Sequence, residues 1–146
     1  MKTIDCKGDA KLVRVPSQTT LNLDNEPGHL FQLSYNIFDH TCTCPEIGDF
    51  RQYTYSYDDT VAGSGTEVGY WTDVTKAGDK IFGKHSSNLK TEMNPDGSWV
   101  MTFSGKWEAT DGTGKFEGIK GSGTFTGKGT PEDMSYQWEG NFDFPD

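Results

Sequence analysis

Helical periodicity is missing from this chain. No segment of its 146 residues carries apolar side chains at i, i+3, i+4 and i+7, and that excludes a helical bundle. No apolar run approaches the ~20 residues of a membrane span. Basic charge is scarce: 13 Lys and Arg stand against 22 Asp and Glu, for a net charge of −9. So acidic a surface repels phosphate backbones and excludes nucleic acid as a partner. There is no basic amphipathic stretch to lie on a membrane. Histidine and cysteine number three each. Three scattered histidines do not make a metal site, and no metal is expected. An odd cysteine count argues against a simple disulfide framework. Cys42 and Cys44, just before Pro45, read as loop residues without zinc-site spacing. The three thiols are expected to be structurally incidental. The opening "MKTIDCKGDAKLVRV" has no continuous apolar core of a secretory signal. The expected location is cytoplasmic, unless a leader has been removed.

What the chain does have is glycine and aromatic rings. Only 32% of residues are hydrophobic, but 13% are aromatic and 18 are glycine. At this length one domain, residues 1–146, can bury roughly two-thirds of its unfolded surface. Strand periodicity is clear. "GHLFQLSYNIFD" sets His29, Phe31, Leu33, Tyr35 and Ile37 against Gln32, Ser34 and Asn36. "FRQYTYSYDD" sets Arg51, Tyr53, Tyr55 and Tyr57 against Gln52, Thr54 and Ser56. Further alternating runs put Glu67 with Trp71, Ile81 with His85, and Trp99 with Met101, Phe103 and Trp107; the last groups Tyr136, Trp138, Phe142 and Phe144. Between them lie "NEPG", "KAGDK", "NPDGS" and "KGTPED", all turn chemistry. Seven or eight short antiparallel strands follow. Closure into a barrel removes the two edges of such a sheet. We therefore expect a single closed eight-stranded antiparallel β-barrel with an interior cavity, of lipocalin-like size, with its aromatic faces inward.

The stretch "TDGTGKFEGIKGSGTFTG", residues 110–127, partly mimics a dinucleotide-binding loop. That fingerprint needs a helix after it, and "SGTFTGKGT" reads as a strand. The residues suit a strand end, a turn carrying Phe116 and Ile119 into the core, and a return strand with Phe125. "GTGKFEGIKGSGTF" resembles the glycine motif of the allene oxide cyclase-like and dirigent-like β-barrel families. "EPGHLF", "GSGTEVGYWTDVTKAGDKIF" and the closing "GNFDF" resemble segments of bacterial members of that group. The resemblance covers roughly residues 26–144. It implies a barrel that needs no cofactor and steers a small apolar or aromatic substrate with a few polar groups and water.

If the tyrosine-rich face points inward, several polar groups converge on one cavity. His85 is then the candidate general acid or base. Tyr53 or Tyr55 donates to a developing oxyanion. Glu67 orients His85 or acts as a base with a raised pKa. Arg51 holds an anionic end of the substrate. Phe31, Tyr35, Trp71, Trp99, Trp107 and Trp138 form the substrate-binding wall. The other reading turns the tyrosines outward, where a sister subunit of a homodimer or homotrimer covers them. His85 could equally sit in water near a strand end. His29 reads as a turn neighbour and His40, in "FDHTCTC", as a loop residue. Three functions fit: a cofactor-independent isomerase or lyase, a non-catalytic carrier of a hydrophobic ligand, or an interaction protein with a solidly packed barrel.

Overall fold

In the computed structural model, which covers residues 1–146, eight antiparallel strands hydrogen-bond into one closed ring in sequence order. They are β1 (Lys2–Asn22), β2 (His29–His40), β3 (Phe50–Val61), β4 (Ser64–Thr75), β5 (Lys80–Met93), β6 (Trp99–Gly112), β7 (Lys120–Gly129) and β8 (Met134–Phe144). One short 3-10 turn, Gly114–Phe116, is the sole helical element. No helix is long and apolar enough to cross a membrane. The glycine-rich stretch lies where its residues suggested. It ends β6, turns, and returns as β7, with Phe116 and Ile119 fully buried.

One end of the ring is closed. Its floor packs Cys6, Cys44, Ile47, Phe50, Ile81, Phe116, Ile119 and Phe142 into the core cluster. The other end is open at the side. β1 pairs with β8 only over Lys2–Lys11, and beyond that it pairs with β2 alone. Two register shifts between Leu12 and Ser17 mark where β1 leaves β8, as bulges commonly do at a rim.

β1 was not among the strands expected. Its signal is nonetheless present: Ile4, Cys6, Gly8, Ala10 and Leu12 alternate with Asp5, Lys7, Asp9 and Lys11.

The thiols need a correction. Cys6 and Cys44 form a disulfide, with Cα atoms 5.5 Å apart, and only Cys42 is free. The backbone brings them together. Thr41 N–H donates to Asp9 O and Thr43 N–H to Lys7 O, both at 2.9 Å, and so extends the β1–β2 pairing past the end of β2. An odd count does not forbid one pair. Such bonds persist in oxidising compartments and are rare in the cytosol, which weighs against the cytoplasmic expectation. The bond closes a loop of 38 residues in sequence separation. Chain entropy then predicts that Cys6→Ser/Cys44→Ser lowers unfolding free energy by roughly 3–4 kcal/mol. Urea denaturation checks this; a loss under about 1 kcal/mol would sink the entropic account.

The faces of two strands also need correcting. Inward residues of β4, β5, β6 and β8 include Glu67, Trp71, His85, Trp107 and Trp138, as the alternation suggested. On β2 and β3 the order is reversed. Ser34, Asn36, Phe38 and His40 of β2 point in, as do Gln52, Thr54, Ser56 and Asp58 of β3. Phe31, Leu33, Tyr35, Arg51, Tyr53, Tyr55 and Tyr57 stand outside. There Tyr35 stacks on Tyr55 with ring centroids 5.0 Å apart, and Phe31 lies 5.6 Å from Tyr57. Arg51 grips Asp39, its cross-strand partner, through two hydrogen bonds of 2.8 and 3.2 Å. The reason is volume. The far wall supplies Phe103, Trp107, Phe125, Tyr136 and Trp138, and an eight-stranded ring holds little more than its own side chains. Short polar residues on β2 and β3 leave the remaining space.

Candidate functional site

That space is a pocket of about 460 Å³ inside the ring. Leu12, Val15 and Gln18 of β1, Thr130 and Pro131 of the β7–β8 turn and Met134 at the start of β8 line it at the open side. Trp71, Trp99, Phe103, Trp107, Phe125 and Trp138 form an aromatic part of its wall. Two polar clusters face it, one toward the mouth and one toward the floor.

The mouth cluster is set by register. Asp58 of β3 is the cross-strand partner of Glu67 on β4, which in turn pairs with Ser87 on β5. All three side chains therefore project on one face. Ser87 Oγ donates to Glu67 Oε1 at 3.1 Å. His85, two residues along β5, brings Nε2 to 3.2 Å from the same oxygen. Burial and the adjacent Glu67 carboxylate push the Asp58 carboxyl up to about 7. Two carboxyls this close resist ionising together. Near neutral pH the pair can hold one proton and still present one base. Asp58 Oδ1 is buried with no hydrogen-bond partner.

The floor cluster spans β2, β3, β4 and β8. His40 Nε2 lies 2.9 Å from Gln52 Oε1, and Gln52 Nε2 donates to Asp73 Oδ1 at 2.9 Å. The Tyr136 hydroxyl donates to Gln52 Oε1 and lies 2.9 Å from His40 Nε2. Each ionisable member is driven to its neutral form. Burial lowers His40 to about 3. Burial also raises Asp73 well above the carboxylate range. Tyr136 rises well above the phenol range through burial first, then the charges of Asp73 and Glu67. This is a neutral hydrogen-bonded network.

Of the residues singled out from sequence, the structure brings His85 and Glu67 together inside the ring. Trp71, Trp99, Trp107 and Trp138 line the same pocket. Phe31, Tyr35, Arg51, Tyr53 and Tyr55 do not reach it. They lie across the β2–β3 wall, where Arg51 and Tyr53 line a separate outer pocket, so they cannot act with His85 and Glu67 in the ring. Asp58, Ser87, His40, Gln52, Asp73 and Tyr136 were not singled out. His40 is no loop residue; it ends β2 and is buried. The three sulfurs of Cys6, Cys42 and Cys44 lie within 4.8 Å of one another. With two in a disulfide, one thiol remains, and burial raises its pKa first of all.

No protein-family model matches the chain, and no curated protein matches it in sequence.

Proposed function

We propose that the ring is a ligand-binding barrel that carries out cofactor-free proton transfer on a small apolar or aromatic substrate, as an isomerase or lyase. One observation carries this reading. Asp58, Glu67 and His85 converge on a pocket inside the ring, one wall of which is aromatic. An ionisable group with a strongly raised pKa in a cleft, beside a named charge partner, is a functional-site candidate. With Asp58 held near 7, the pair is poised where general acid–base catalysis is most effective. In this reading one carboxylate takes a proton from the substrate. The protonated partner or His85 returns one at a second atom. The resemblance of residues 26–144 to the allene oxide cyclase-like group points to the same class of chemistry.

A probe reaction tests the base directly. In 5-nitrobenzisoxazole a base removes the ring C–H proton, the N–O bond breaks, and a coloured nitrophenolate is released. The wild-type protein is expected to accelerate this, with a basic limb near pH 7. Asp58→Asn and Glu67→Gln should each lower the rate by about tenfold or more. Equal rates in wild type and both variants would remove the acid–base reading. The same pocket without turnover would leave the carrier, for which the tryptophan-rich wall is the supporting observation.

A further inference from the structure

Three carboxyl residues line the pocket, Asp58, Glu67 and Asp73, but no Lys or Arg does. On the floor the charges are already settled. Burial holds Asp73 neutral, and it accepts from Gln52 at 2.9 Å. His40 is held neutral as well. At the mouth two carboxyls face a single imidazole. His85 Nε2 stands 3.2 Å from Glu67 Oε1, and Ser87 Oγ donates to that same oxygen.

Asp58 has no such company. Its Oδ1 is buried without a hydrogen-bond partner. Its cross-strand neighbour on β2, Gln32, directs Nε2 to Thr20 Oγ1 at 2.7 Å instead. Every influence on the Asp58 carboxyl, burial first and Glu67 second, disfavours its charge, and no cation opposes them. On its own the chain can answer this only by keeping a proton on the pair. A positively charged ligand gives the other answer, because it brings the counter-charge that the lining does not contain.

The surroundings also favour a cation. The His85 ring meets Phe125 edge-on with centroids 6.2 Å apart, and Phe125 lies 6.2 Å from Phe103. The aromatic wall therefore begins beside the carboxyls. Aromatic faces attract cations through the ring quadrupole. The net charge of −9 draws cations toward the molecule and repels anions. A pocket of about 460 Å³ accommodates a small organic ligand.

We propose that the pocket binds an arylalkylamine as its ammonium ion, with the nitrogen against Asp58 and Glu67 at the mouth and the ring against Phe103, Phe125 and the tryptophans. The ammonium N–H groups donate to the carboxyls and take the place of the proton that the pair otherwise keeps. Both residues are half-buried, and the Glu67 side chain is 21% exposed, which leaves carboxyl surface for the ligand. A carboxylate ligand meets like charge here. A neutral alcohol can hydrogen-bond but supplies no counter-charge. This rests on the reading that the pocket takes a ligand, and it names the charge and class of that ligand.

The test displaces a neutral fluorophore, N-phenyl-1-naphthylamine, at pH 7.5 with three competitors of nearly equal size. They are 2-(2-naphthyl)ethylamine, charged at this pH, 2-(2-naphthyl)ethanol, neutral, and 2-naphthylacetate, an anion. The amine is expected to act at about tenfold lower concentration than the alcohol, as a hydrogen bond to a charged group is stronger than a neutral one. The acetate should be the weakest. In Asp58→Asn and in Glu67→Gln the amine should lose its advantage over the alcohol. Comparing amine with alcohol within each protein cancels any general loss of affinity caused by the substitution. A wild type that releases the reporter equally to amine and alcohol overturns the ammonium site and leaves the cavity intact. An amine preference that survives unchanged in both variants arises from the overall negative charge, and it overturns the site too. A wild type that binds no reporter overturns the cavity reading and the ammonium site with it.

Discussion

Gly123→Val is expected to leave no stably folded protein. Gly123 on β7 is the cross-strand partner of Gly140 on β8. The indole of Trp107 lies over this pair. A Cβ placed on Gly123 would meet two Trp107 ring atoms at 2.6 Å, and it would also collide with the Glu139 carbonyl. That carbonyl already accepts from Trp107 Nε1. The ring atoms could move only by pushing into Trp138 and Phe142, whose centroids lie 6.1 and 5.1 Å from Trp107. The carbonyl belongs to the β8 backbone and cannot move without opening the β7–β8 ladder. Overpacking alone costs about 1–3 kcal/mol. With a ladder broken as well, the loss should exceed about 4 kcal/mol, a large part of a domain's stability. Gly97→Ala is the contrast. Gly97 has a positive φ of 89° but nothing within 4 Å of a Cβ, so only the backbone penalty of about 1–2 kcal/mol applies. Circular dichroism and urea denaturation of both variants decide it. A Gly123→Val protein as stable as Gly97→Ala would refute the packing account.

The same arrangement explains which parts of the molecule could be read from sequence. Trp71 sits over Gly83 and Trp138 over Gly8, so each of the three buried tryptophans covers a glycine. Glycines inside strands therefore mark the seats of large rings, and "GTGKFEGIKGSGTF" announces two strands rather than a phosphate loop. Turn residues and period-two alternation located seven of the strands. The ring's direction of curvature was a different matter. Apolar-in, polar-out patterning assumes a dry core. Here part of the interior is a polar pocket, so Gln52, Thr54, Ser56 and Asp58 face in while Tyr53, Tyr55 and Tyr57 face out. Pairing resolves this where pattern does not. Gln52 is opposite Asp73, and Asp58 is opposite Glu67. Once Trp71 places the odd-numbered residues of β4 inside, register forces the even-numbered residues of β3 inside as well. Register is a long-range fact, and it is the reason His85 and Glu67 were legible while Asp58 was not.

Lowering the pH should reveal His40 as the strongest acid-sensitive element of the floor. Buried between Phe50, Trp138 and Tyr136, its imidazole is held neutral, with a folded pKa of about 3 against an unfolded value near 6.5. Below pH 6.5 the unfolded chain therefore takes up a proton that the folded chain refuses. The stability His40 supplies is complete above about 6.5 and is lost as pH falls toward 3. Each pH unit is worth about 1.4 kcal/mol, which makes the whole window on the order of 5 kcal/mol. Asp73 and Asp58 act in the opposite sense. Their raised folded pKa values make the folded state the stronger proton binder above about 4, so they lower stability as pH rises. In the wild type these terms partly cancel, and a flat pH profile would prove nothing. The difference between wild type and His40→Gln isolates the imidazole, since glutamine keeps the donor toward Gln52 and does not titrate. Between pH 7.5 and pH 4 that difference should move against the wild type by about 3 kcal/mol, measured as unfolding free energy in urea. Parallel curves for the two proteins would mean that His40 accepts its proton inside the fold. The floor would then not be the neutral network that burial otherwise enforces.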